Sequence, residues 1–131
     1  MNADGPVLFR IGAIRLRVLA DGPDALHLLC EGDVSLPELL PGDDPLAESF
    51  GPEVYGRKVL LNLEKAGYLD TSGISWLIAC HRRFEDAGGA LVLHSIPPRA
   101  RHVVALLHMD RVFHTAAGPE AALALVAGGK P

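Results

Sequence analysis

From Lys58 to Val126 the chain alternates short apolar runs with longer stretches whose apolar residues recur every three to four positions. Val59-Leu60-Leu61-Asn62-Leu63 and Ala90-Leu91-Val92-Leu93-His94 are continuous apolar runs, the mark of strands buried on both faces. Between them, Ile74, Leu77, Ile78 and Phe84 predict a helix that opens at Asp70-Thr71, runs to about Ala87 and ends at Gly88-Gly89. Glu64–Leu69 reads as a loop. Pro97-Pro98 opens a second helix whose stripe includes Val103, Leu106 and Leu107. Val112-Phe113 predicts a short strand, and Pro119 starts a last helix through Ala122, Leu123 and Val126. This order implies parallel strands joined by right-handed crossovers, with 59–63 central in the sheet.

The N-terminal third follows another rule. Val7–Ile11 and Ala13–Leu19 read as strands; in the second, Arg15 and Arg17 alternate with Ile14, Leu16 and Val18, which leaves one face wet. Asp21-Gly22-Pro23-Asp24 is a turn signal, and Ala25–Cys30 reads as a more buried strand that pairs back as a hairpin. The expected fold is therefore α/β, with a mixed central sheet, an N-terminal β-hairpin and helices mainly on one face. At 131 residues, 49% hydrophobic and 21% charged, the chain suits a single domain over 1–131 and argues against disorder. Residues 31–57 interrupt the pattern: four prolines and four glycines forbid a long element, and the best local signal is a short helix with Asp44 as N-cap and Pro45 at its first position.

Several functional classes fit poorly. A formal net charge of −4 offers no basic footprint for nucleic acid. The first residues lack the pattern of a signal peptide, and no stretch approaches the roughly 20 apolar residues that span a bilayer, so membrane insertion is not expected and a soluble, cytoplasmic protein is. Cys30 and Cys80, isolated and within apolar patterns, read as small buried hydrophobes in a reducing compartment. The six histidines are spread over different elements without metal-ligand spacing, so structural or surface roles are expected, with no metal and no cofactor. No catalytic constellation is visible, and an enzyme is not expected.

The chemically informative stretch is Leu69-Asp70-Thr71-Ser72-Gly73-Ile74. Asp70 or Thr71 can cap the helix by accepting from the N–H groups of its first turn. Gly73 permits a close approach by another backbone or by a partner, and the Thr71 hydroxyl is expected to be exposed where a phosphate is electrostatically tolerated.

An apolar strand, a short loop, then Asp70-Thr71-Ser72-Gly73 opening a helix, with Gly88-Gly89 and a further strand behind, resembles the STAS domain family in its anti-sigma-factor-antagonist branch. The resemblance runs from about Lys58 to Val126. It implies a protein-binding module whose hydroxyl residue after the Asp is phosphorylated by a partner that is both anti-sigma factor and serine/threonine kinase, and reset by a phosphatase. Carried over by position, Asp70 shapes the loop, Thr71 is the phosphoacceptor, and Ser72, Gly73, Ser75 and Trp76 complete the contact surface. Trp76, off the Ile74–Ile78 stripe, is either an exposed partner anchor or packed under a loop. Thr71 stands where antagonists more often carry Ser, Ser75 replaces a frequent Gly, and 31–57 takes the place of the family's first helix. The alternative is a constitutive scaffold subunit of a signalling or lipid-transporter complex using the same surface.

Overall fold

The computed structural model describes residues 7–11 (by their backbone), 14–40, 42–106, 108 and 111–127. Its strands are β1 (Val7–Ile11), β2 (Ile14–Asp21), β3 (Leu26–Val34), β4 (Lys58–Asn62), β5 (Ala66–Leu69), β6 (Ala90–His94) and β7 (His114–Ala116). Its α-helices are α1 (Pro45–Phe50), α2 (Thr71–Ala87), α3 (Pro98–Leu106) and α4 (Pro119–Ala127), with a 3-10 turn at Pro52–Gly56. The sheet order is β1-β2-β3-β4-β6-β7. β1, β2 and β3 run antiparallel, whereas β3-β4-β6-β7 are parallel. β4 is central, as its unbroken apolar run requires, and the expected mixed sheet with an N-terminal hairpin is present.

The alternation on β2 has a direct counterpart across the ladder. Ile14 and Leu16 are buried, while Arg15 and Arg17 share Glu31 of β3 on the wetter face. The Arg17 guanidinium, by hydrogen bond, lowers the Glu31 carboxyl below its usual range.

Both faces of the parallel half are covered. Leu61, Leu91 and Leu93 point into the main core with Leu46 of α1, Leu77 and Phe84 of α2, and Val104 of α3. Leu60 and Val92 point the other way, under Ala122 and Val126 of α4. Three helices therefore lie on one face and one on the other.

Several sequence expectations need correction. β3 continues through Val34, four residues beyond the expected end and into the Pro/Gly-rich segment. That segment contributes to the core: Val34, Leu36, Leu46, Val54 and Tyr55 are core residues, and Tyr55 meets the Phe84 ring edge-on at 4.9 Å. α1 begins as expected, with the Asp44 carboxylate accepting from the Ala47 N–H. Glu64–Leu69 is not all loop. The Asn62 side chain accepts from the Glu64 N–H at 2.8 Å, turning the chain so that 66–69 pair with β3 beyond the end of β4. β7 is His114–Ala116 rather than Val112-Phe113, because Phe113 enters the main core and Val92 pairs with His114. In α3 the buried positions are Ala100 and Val104; Leu106 is 64% exposed, and Leu107 lies outside the described residues.

Candidate functional site

The start of α2 is built by contacts across more than thirty residues of sequence. Because β3 runs on to Val34, its end lies beside the start of α2, and the Asp70 N–H donates to the Val34 carbonyl at 3.2 Å. The Asp70 carboxylate then gathers three donors. Ser35 Oγ–H donates to Oδ2, Ser72 Oγ–H donates to Oδ1 at 2.6 Å, and the Gly73 N–H donates to Oδ1 at 3.0 Å. Ser72 Oγ also accepts from the Leu36 N–H at 2.7 Å, so backbone, hydroxyl and carboxylate form one relay. Asp70 is thus the N-cap, and the Ser35 hydroxyl, then Ser72 and the Gly73 N–H, lower its carboxyl from the usual 3.8 to about 2.

At Gly73 α2 packs tightly against the end of β3. A Cβ there would lie 2.0 Å from the Val34 carbonyl oxygen and 2.7 Å from its carbon, so only hydrogen fits. At the far end of α2, Gly88 takes a left-handed φ of 86°, and its N–H caps Phe84 and Glu85.

The tetrapeptide Asp70-Thr71-Ser72-Gly73 therefore divides. Asp70 and Ser72 are half-buried, Gly73 is buried, and all three tie α2 to the strand and loop at 34–36. Thr71 is exposed, as is Ser75 one turn later on the same helix face. The expectation that first-turn N–H groups stand ready for a phosphate needs refinement. The Gly73 N–H is already taken by the Asp70 carboxylate, so the exposed Thr71 hydroxyl lies next to a capping negative charge.

Trp76 is not a surface residue. It is 4% exposed and packs near Leu28, Leu46 and Leu61. The buried face of α2 includes the expected Ile74, Leu77 and Phe84, with Ile78 at its margin, and is widened by Gly73, Trp76 and Cys80. Gly73 has no side chain to signal its burial, and the three-to-four spacing of the apolar residues therefore marked a narrower stripe than the one buried.

Sequence reasoning also missed Val34, Ser35 and Leu36, which complete the site, and a groove beside it. The groove, of about 360 Å³, lies between Leu36, Leu39, Leu40 and Asp43 on one side and Ser75, Ala79 and Arg83 on the other. Leu40 is 67% exposed on its rim. Nothing in the sequence marks Ser35 as a partner of Asp70, since the two are brought together only by the parallel pairing of β3 with β5.

The Asp70 network has a signed pH dependence. A carboxyl whose folded value lies below its unfolded value stabilises the fold fully above the unfolded value, and that contribution disappears as pH falls through the folded one. Urea midpoints of the native chain and Asp70→Asn should therefore differ by a constant amount above about pH 4 and converge towards pH 2. A gap that does not change with pH would mean that the charge of Asp70 is immaterial.

These features define a small mixed α/β domain with the exposed Thr71 hydroxyl at a helix start whose neighbours are tied to the end of β3. Compared with known families, residues 36–122 match the STAS domain, and the chain belongs to the STAS domain family. Among solved structures, it is similar to a candidate anti-sigma factor antagonist from Thermotoga maritima, with TM-score 0.70 and 17% identity over 81% of this chain and 90% of that one. It is also similar to an anti-sigma-factor antagonist (STAS) domain protein from Planctomyces limnophilus, with TM-score 0.58 and 20% identity over 87% and 97% of the two chains. The anti-sigma factor antagonist SpoIIAA in its unphosphorylated form aligns with TM-score 0.56 and 18% identity, over 88% and 97%. No curated protein matches the chain. Among the described residues, no helix is long and apolar enough to cross a membrane.

Proposed function

We propose that the chain is an anti-sigma-factor-antagonist-like binding module of the cytoplasm, which binds an anti-sigma factor with serine/threonine kinase activity and is switched off by phosphorylation of Thr71. A phosphatase resets it. The observation that carries the reading is the exposure of Thr71 between three residues committed to structure. A kinase can reach this hydroxyl, and modifying it disturbs no internal hydrogen bond of the Asp70 network. Ser75 and the groove between Leu40 and Arg83 supply adjoining contact surface. A phosphate adds about −1.5 to −2 charges at neutral pH, next to the Asp70 carboxylate. It therefore opposes a desolvated partner surface through charge, not through unfolding.

The partner is first captured from lysate with the native chain and identified by mass spectrometry. Its affinity is then measured for unmodified, phosphorylated and Thr71→Ala protein, with melting curves alongside. Phosphorylation should weaken binding by at least about tenfold, or roughly 1.4 kcal/mol, and change the melting temperature little. Thr71→Ala should bind like the native chain and resist the kinase. Equal affinity of the modified and unmodified forms would refute the switch and favour a constitutive scaffold subunit.

A further inference from the structure

We propose that His81, Glu85 and His114 form a binding site for a divalent transition-metal ion of the zinc class, joining the C-terminal half of α2 to β7. His81 and Glu85 are four residues apart on α2 and so share a helix face. His114 is the first residue of β7, held opposite them by its pairing with Val92. One ligand atom from each of the three lies within 4.8 Å of the other two, and all three residues are half-buried.

The local packing supports this chemistry. His114 Nε2 is 3.3 Å from Glu85 Oε2. The His81 ring stands edge-on to Phe113 at 5.6 Å and to His114 at 5.5 Å, which restricts its rotation. His81 Nδ1 is buried with no hydrogen-bond partner among the described residues. Two imidazoles and one carboxylate suit zinc, cobalt or nickel better than magnesium or calcium, which prefer oxygen ligands alone. Ligand atoms around tetrahedral zinc lie about 3.3 Å apart, given bonds of about 2.0–2.1 Å. The site must therefore contract slightly, and the partly exposed side chains of Glu85 and His114 can do so. Three protein ligands leave one coordination position for water. His81 lies ten residues along α2 from Thr71, about 15 Å by helical rise, so metal and modification would act on separate parts of one helix.

The test is titration of the full chain with zinc chloride by calorimetry, and with cobalt chloride by visible absorption. One ion per chain is expected, with cobalt bands of tetrahedral coordination and a melting temperature that rises with zinc. Changing a residue that merely orients a ligand costs roughly 10–100-fold in affinity, so His114→Ala and Glu85→Gln should each cost about 100-fold. His102→Ala, an exposed histidine on α3, should bind normally. Circular dichroism without metal checks that each variant is folded, and Glu85→Gln keeps the side-chain shape if His114→Ala does not fold. Unchanged affinity in folded Glu85→Gln, or an equal loss in His102→Ala, would overturn the proposal. Neither outcome bears on Thr71.

Discussion

Trp76→Ala should lower the free energy of unfolding by about 3–5 kcal/mol, the usual cost of removing a large aromatic side chain from a core. For a domain of this size each kcal/mol is worth about 4 °C, so the melting temperature should fall by about 12–20 °C. The reason is geometric. Trp76 is 4% exposed, on the face of α2 that also buries Leu77, Cys80 and Phe84. Alanine would open a cavity between α2, α1 and the sheet that the surrounding leucines cannot fill without moving the helix. Trp76→Phe should lose less, because most of the ring volume remains. Urea or thermal unfolding gives the magnitude, and fluorescence offers an independent check, since a buried indole should be poorly quenched by acrylamide. A substitution that left stability unchanged and abolished only partner binding would return Trp76 to the surface.

Gly73→Ala should also be severe, at about 3 kcal/mol, and here the sign itself is informative. In an exposed helix interior the exchange of glycine for alanine is stabilising by about 1 kcal/mol. At Gly73 the added methyl would meet the Val34 carbonyl oxygen at 2.0 Å, against backbone that is itself held by the Asp70 N–H. Either α2 shifts away from β3 or the relay from Leu36 through Ser72 to Asp70 breaks, and overpacking of this kind costs about 1–3 kcal/mol, occasionally more. Chemical denaturation measures the loss. Nuclear magnetic resonance should place the largest shift changes at residues 34–36 and 70–74. A variant as stable as the native chain would mean that strand and helix are not in contact at this point.

The two effects locate the boundary between structure and proposed function within one short motif. Substitutions at Gly73 and Trp76 act through folding, whereas Thr71, exposed two residues before Gly73, is expected to act through an interface. Binding data for the first two are interpretable only on the folded fraction.

Much of this architecture is legible in the sequence, because the signals are local. The apolar runs of β4 and β6 read as strands covered on both faces, and Leu60 and Val92 do face α4 while Leu61 and Leu93 face the main core. Asp70 and Gly88 marked the ends of α2 through chemistry that acts within four residues. Arg15 and Arg17 marked the wet face of β2 by alternation alone.

What the sequence did not reveal depends on residues far apart along the chain. The continuation of β3 to Val34, the existence of β5 and the role of Ser35 all follow from one parallel pairing between segments more than thirty residues apart. The meeting of His81 and Glu85 with His114 follows from the register of β7 on β6. Periodicity and capping report what a residue does to its own helix or strand, and so the sequence by itself determined the order and kind of most elements and the exposed hydroxyl at Thr71. That Trp76 joins the buried face of α2, what holds Asp70 and what gathers near His81 were decided only by tertiary packing, because those energies belong to contacts that no short window of sequence contains.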